Sequence, residues 1–182
     1  DRPALAVARD LLGQVLIHEA GGRRRAGRIV ETEAYVGPQD LACHASKGRT
    51  ARTEVMFGPP GHAYMFLIYG MYWCFNVVTG PEGVAAAVLV RALEPMEGLG
   101  SDAQTDGPGK LCRALGIARA HNGADLRSRV LRIERGPAVP PRRRARGPRI
   151  GVDYAGPWAA KPYRFWIRGN AHVSGRRPFR RP

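Results

Sequence analysis

Lysine is almost missing from this chain. Only Lys47, Lys110 and Lys161 occur, although basic residues number 29 against 15 acidic ones and the net charge is +14. Arginine therefore carries nearly all of the surplus, and its planar fork matches phosphate geometry. A codon bias would explain the choice of arginine over lysine, but not the surplus itself. A polyanionic partner is the first inference. Cysteine is scarce too: Cys43, Cys74 and Cys112 are far apart, odd in number and form no CxxC. That argues against a disulfide framework and a zinc site, and for an intracellular, reducing compartment. Nothing here requires a metal or another cofactor. No apolar run is long enough to span a membrane: Ala63–Val78 is broken by Gly70 and Asn76 and falls short of the roughly 20 residues needed. No amphipathic helix with a basic face stands out, and no signal or transit segment is visible. Nucleic acid leads.

What the chain has in excess is local. Six of its fourteen aromatic residues fall between Gly61 and Asn76: Tyr64, Phe66, Tyr69, Tyr72, Trp73 and Phe75. In an extended strand Tyr64 and Phe66 share a face. Tyr69-Gly70-Met71 then interrupts the run with the glycine a tight turn needs. The stretch reads as a hairpin with Tyr69 and Met71 at its tip. Two core strands meeting at a turn is the plainer alternative, and the basic charge of the whole chain tips the reading toward function.

From the start, ALAVARDLLG after Pro3 predicts a helix ending before Gly13, with Leu5, Ala8 and Leu12 on its core face. Gln14–Glu19 and Arg28–Tyr35 are strand-like, joined by a glycine- and arginine-rich turn. The segment up to Gly61 is mostly loop, with one helical turn near Ala42; a loop that long is usually functional or disordered. Val84–Leu93 looks like a buried strand. Gly107–Lys110 introduces a short helix, Leu111–Gly116, and lacks the spacing of a P-loop. Val130–Arg135 is a strand, and a proline-arginine loop follows. From Arg127 to Arg149 there are nine arginines with only Glu134 in opposition. Arg149–Tyr154 and Tyr163–Arg168 are further strands, and the tail to Pro182 adds more arginine. With no repeat and no linker, the expectation is one α+β domain over residues 1–182, with an antiparallel β core and a protruding aromatic hairpin.

Glu31 and Glu33 end an apolar strand at i and i+2, hence on one face. Alone, such a pair is more often structural, one acid capping a loop and the other bound to arginine. These two stand just ahead of Tyr35, His44 and the aromatic stretch. Here the sequence resembles a family. RIVETEAYVGPQD, HASKGRTAR, MFGPPG, YGMYWCFNVVTG, VLVRALEP, GPGKLCRALGI and RIGVDYAG…KPYRFWIRG, in that order from about Asp10 to Gly169, are similar to the alkyladenine (3-methyladenine) DNA glycosylases.

The resemblance implies a monofunctional glycosylase that flips a damaged purine out of duplex DNA and cuts its N-glycosidic bond with water. Glu33 matches the general base; Arg91 and the carbonyl of Ile150 match the other groups that hold the water. Tyr35, His44, Tyr64 and Phe66 match the stacking pocket, and the Ala42 carbonyl a contact to the base edge. Asn76 matches the residue that crowds the 2-amino group of guanine. Tyr69 matches the wedge that fills the vacated stack, with Met71 beside it. Lys110 at a helix start, and Arg142, Arg143 and Arg144, are the candidate phosphate contacts. The partner implied is double-stranded DNA carrying damaged purines, met by a monomer. No lysine lies near Glu33 in sequence, so no Schiff-base lyase step is expected. Two positions depart from the family: Phe66 stands where many relatives have tyrosine, and Thr53 replaces the usual asparagine.

Two rivals weigh less. A non-catalytic nucleic-acid-binding module gains nothing from Glu33. A carbohydrate hydrolase needs carboxylates flanking its substrate, which one strand face does not provide.

Overall fold

The computed structural model describes residues 1–100 and 102–175; the arginine-rich end of the tail, 176–182, lies outside the described residues. Helix α1 (Ala4–Asp10) is shorter than predicted, and Gly13 follows with a positive φ of 90°. Strands β1 (Val15–Ala20), β2 (Arg23–Tyr35), β3 (Ala63–Ile68), β4 (Tyr72–Thr79) and β5 (Ala86–Pro95) come next. Helix α2 (Pro108–Leu115), β6 (Leu131–Glu134), β7 (Arg144–Gly147) and β8 (Arg164–Ile167) complete the fold. All strands belong to one antiparallel sheet, in the order β3-β4-β5-β2-β1-β6, with β8 joining β2 and β7 joining β8. The α+β expectation holds.

Strand β2 is the stave that organises the sheet. One edge pairs with β5; the other is divided, Arg23–Arg28 lying on β1 and Glu31–Glu33 on β8. Arginines 23–25 lie inside β2, where a turn was expected. The turn is tighter than that: Gly21 and Gly22 both take positive φ, 57° and 70°, as a two-residue hairpin loop of the I′ kind requires. Between β2 and β5 the register slips twice. Ile29 faces Leu93, Glu31 faces Ala92 and Thr32 faces Val90, so Val30 and Arg91 are each an extra residue. Paired bulges of this kind bend strands and re-aim side chains.

Beyond the bulge, alternation sorts the end of β2. Thr32 faces α1 and donates to the Ala8 carbonyl at 2.8 Å; Val30 and Ala34 enter the main core with Ala4, Ala8, Leu12 and Phe165. Glu31, Glu33 and Tyr35 are thereby sent to the opposite face.

Two segments depart from the predicted pattern. Arg149–Tyr154 forms no strand: Gly151 has φ 73° and a 3-10 turn occupies Asp153–Trp158. The backbone there is committed elsewhere, to side chains of the site described below. Conversely, the proline-arginine loop contains strand β7, whose RARG sequence has no apolar alternation to announce it. Helix α2 begins at Pro108, three residues before the predicted start, and packs so closely on the β3–β4 pair that a Cβ at Gly109 would lie 2.9 Å from the Tyr72 Cβ.

A histidine pair ties β1 to the end of α2. His18 Nδ1 lies 2.7 Å from the Leu115 carbonyl, which must accept, so His18 Nε2 is bare and takes the proton of His121 Nε2 at 3.0 Å. His121 Nδ1 in turn accepts the Ala118 N–H at 3.1 Å. Every ring nitrogen has a polar partner. Burial, together with the nearby His18, lowers the His121 pKa below the ordinary 6.5. A depressed folded-state pKa contributes stability that is present above the unfolded value and lost as pH falls. Urea unfolding should therefore show the fold weakening from pH 7 to pH 5. His121→Asn should flatten that slope; an unchanged slope places the titration elsewhere.

Candidate active site

The far face of β2 meets three loops. Glu33 is wholly buried, and its carboxylate is held from three sides. Oε1 accepts the Ile150 N–H at 2.8 Å and faces Arg91 Nη1 at 3.3 Å; Oε2 accepts the Tyr35 hydroxyl at 2.9 Å. Burial raises the Tyr35 pKa well above 10, and the Glu33 charge and hydrogen bond add to it, so the phenol stays a donor. Burial disfavours the Arg91 cation, but Glu33 and Glu31 more than offset it and raise its pKa.

Glu31, two residues earlier, is a different kind of carboxylate. It takes Arg91 Nε at 3.2 Å, Arg164 Nη1 at 3.0 Å and the Ser174 hydroxyl at 3.0 Å on Oε1, and the Ser174 N–H at 2.7 Å on Oε2. A carboxylate offers about four acceptor positions. Glu31 meets four protein donors, three of them crowded on Oε1; Glu33 meets three.

Tyr35, Arg91 and Ile150, the three groups that hold Glu33, border a cavity of about 490 Å³, and Glu33 itself lies buried behind them. Nine of the residues named from the sequence line it: Tyr35, Ala42, His44, Tyr64, Phe66, Tyr69, Asn76, Arg91 and Ile150. Tyr64 and Phe66 share a face of β3, as alternation predicts. His44 stacks on Phe66, with ring centroids 3.5 Å apart and 21° between planes, and its Nδ1 lies 3.2 Å from the Tyr64 hydroxyl. Burial first, then the Arg52 and Lys47 charges, lower the His44 pKa to about 4, so the ring is neutral at physiological pH. The Asn76 amide donates to the carbonyls of Tyr64 and Cys74 at 3.0 and 3.3 Å, which locks its orientation against the cavity.

At the rim, Tyr69 and Met71 flank Gly70, 84% and 66% exposed. Tyr69 is the one non-glycine described residue with positive φ, 51°. Strain of this sort costs on the order of 1–3 kcal/mol and collects at functional positions. Tyr69 borders the cavity; Met71 lies off it, beside Trp73 and Arg113. None of the four expected phosphate cations lines the cavity itself. Lys110 pairs with Asp106 at 3.0 Å. Arg144 turns toward the Val139 carbonyl and Asp10. Arg142 and Arg143 are exposed on the 3-10 turn before β7, separated from Ile150 by that strand.

The chain matches the methylpurine-DNA glycosylase family profile over residues 1–171. It belongs to that family. Similar proteins, each provisionally named a 3-methyladenine DNA glycosylase, come from Myxococcus xanthus (64% identical over 173 residues, 95% of this chain and 89% of that one) and Methanocella arvoryzae (55% over 190, 98% and 94%). A third, from Legionella pneumophila strain Corby, is 48% identical over 174 residues, 96% and 94%. The expectation of a monofunctional DNA glycosylase, a hydrolase of N-glycosyl bonds that serves DNA repair, is met by that membership. Among the described residues no helix is long and apolar enough to cross a membrane. Cys43, Cys74 and Cys112 are all free and buried.

The candidate site also includes residues that were passed over. Arg149 and Asp40, wholly buried at their side chains, form a two-pronged pair at 2.5 and 2.8 Å. Asp40 also accepts the Ala42 N–H at 3.1 Å, and the Arg149 guanidinium lies 4.8 Å from the Tyr35 ring. This pair ties the loop of Ala42 to the loop of Ile150 and backs Tyr35. Arg52 stacks over Phe66 at 4.2 Å and donates to the Leu67 carbonyl at 2.7 Å. Tyr154, 71% exposed, completes the wall. All four lie within the stretches that carried the resemblance, Arg149 directly after Pro148 and Asp40 two residues after Pro38, and that membership was the available signal.

Proposed function

We propose that residues 1–182 act as one base-excision domain that turns a damaged purine out of duplex DNA and hydrolyses its N-glycosidic bond. One observation carries the reading. A carboxylate held by Ile150, Arg91 and Tyr35 stands behind an aromatic-walled cavity and has one acceptor position left for water. Glu33 takes a proton from that water; the oxygen bonds to C1′ as the C1′–N bond breaks, and the bonding pair leaves with the purine. The sugar carries positive charge in the transition state, which the anionic carboxylate stabilises as well. The Ile150 carbonyl and Arg91 help to orient the water, and no lysine nucleophile is invoked.

The flipped base stacks between Tyr35 and His44, the latter backed by Phe66. Its edge meets the Ala42 carbonyl, and Tyr64 lines the floor. Flipping costs a few kcal/mol, offset by stacking at about 1–3 kcal/mol per base and by an inserted side chain. The β3–β4 pair is then a protruding aromatic hairpin whose Tyr69 fills the vacated stack, with Met71 against the neighbouring bases. Arg142 and Arg143 contact phosphate, as do Lys110 and Arg144 once exchanged from their carboxylates. The enzyme works as a monomer in a reducing compartment. The direct test is a set of duplexes each carrying one lesion, scored for abasic sites; a chain that binds them all and releases no base is a binding module.

Tyr69→Ala should leave undamaged-duplex affinity nearly unchanged and slow excision more from a paired lesion than from the same lesion in a bulge, where unstacking is already done. An equal loss on both would place Tyr69 in the base pocket. Asn76→Ser should raise guanine excision modestly, since one relieved contact is worth about 1–3 kcal/mol. Equal guanine release by both proteins would mean that crowding by the amide is not the filter.

A further inference from the structure

Arg91 stands between two buried carboxylates. Its Nε is 3.2 Å from Glu31 and its Nη1 3.3 Å from Glu33. A guanidinium gains most from a two-pronged fork on one carboxylate, so nothing in Arg91 itself keeps it divided. The restraint comes from the segment after β8. Ser174, 8% exposed next to the buried Val173, gives its N–H to Glu31 Oε2 and its hydroxyl to Glu31 Oε1. The same hydroxyl oxygen accepts Arg91 Nη2 at 3.3 Å. A hydroxyl can donate and accept at once. Ser174 Oγ thereby completes the set on Glu31 and gives the guanidinium a third fixed point: Nε on Glu31, Nη2 on Ser174, Nη1 on Glu33.

We propose that Ser174 is a positioning residue for the hydrolytic site, its hydroxyl holding the Arg91 plane so that Nη1 stays on Glu33. This rests on Glu33 being the general base. It also makes the segment after β8 part of the reaction machinery, although Ser174 does not line the cavity.

Threonine and valine have nearly the same shape, and only threonine has the hydroxyl; the backbone N–H contact survives in both. Ser174→Thr and Ser174→Val are compared in the full chain by single-turnover base release from a hypoxanthine or 7-methylguanine duplex, duplex affinity and urea midpoint. Valine should be slower than threonine by about tenfold, as expected for one lost hydrogen bond to a charged group, with a lower urea midpoint but duplex affinity matching between the two. Equal rates overturn the proposal. So does a slower valine protein whose duplex affinity falls in step with its rate, because the hydroxyl is then only structural. Glu33→Gln separates the two ideas: if it remains active the general-base reading fails, whereas equal threonine and valine rates beside an inactive Glu33→Gln overturn the Ser174 role alone.

Discussion

Glu33→Gln protein should bind a lesion duplex as the unaltered enzyme does and release base at least ~10²-fold more slowly, the usual scale for a lost general base. The substitution suits the site. A glutamine carbonyl can still accept the Ile150 N–H and the Arg91 Nη1 proton, the contacts that Glu33 Oε1 now makes. Its amide can donate to the Tyr35 hydroxyl, reversing the present bond to Oε2. Packing and binding are preserved, and proton acceptance is lost. Single-turnover kinetics with saturating enzyme isolate that step. A rate within tenfold of the unaltered enzyme would remove Glu33 from the base role, and Glu31, enclosed by Arg91, Arg164 and Ser174, is no substitute.

The second large effect is on stability. Asp40→Ala leaves the Arg149 guanidinium buried without its anion, and breaking a buried pair from one side costs about 3–5 kcal/mol. Against a typical total of 5–15 kcal/mol that is a severe loss, visible as a lower urea midpoint. Replacing both partners, as in Asp40→Ala with Arg149→Met, removes the stranded charge and should recover much of the stability. Activity should not recover with it, because Ala42 and Ile150 lose the tie between their loops. A single mutant within about 1 kcal/mol of the unaltered chain, or a double mutant that regains full activity, would contradict this account.

The parts of the site legible in the sequence are those that local rules govern. Strand alternation put Tyr64 with Phe66 and Glu31 with Glu33, and the glycine after Tyr69 marked a turn. The separate roles of the two carboxylates were not legible from their spacing. They follow mainly from distant partners, Ile150 lying 117 residues from Glu33 and Ser174 lying 143 from Glu31, and from a double register slip that no periodicity signals. Arg149 was hidden for a further reason. It is one of nine arginines in a stretch that reads as a solvated cationic surface, yet it is 5% exposed. Composition describes the many and conceals the exception. Strand β7 escaped because an edge strand without apolar residues has no pattern to display.

The division of β2 between β1 and β8 has a bearing on the order in which the chain acquires function. The β1–β2 and β3–β4 pairings are hairpins between neighbours in sequence, and loops that short close quickly. The contacts that complete the carboxylate centre span 117 residues from Ile150 to Glu33 and 143 from Ser174 to Glu31. The aromatic wall on the β3–β4 hairpin can therefore be in place on a growing or partly refolded chain before the proposed hydrolytic centre exists. Such a chain would hold DNA without releasing base. Base release is thus a readout of completed folding, and in refolding experiments recovery of duplex binding should precede recovery of excision.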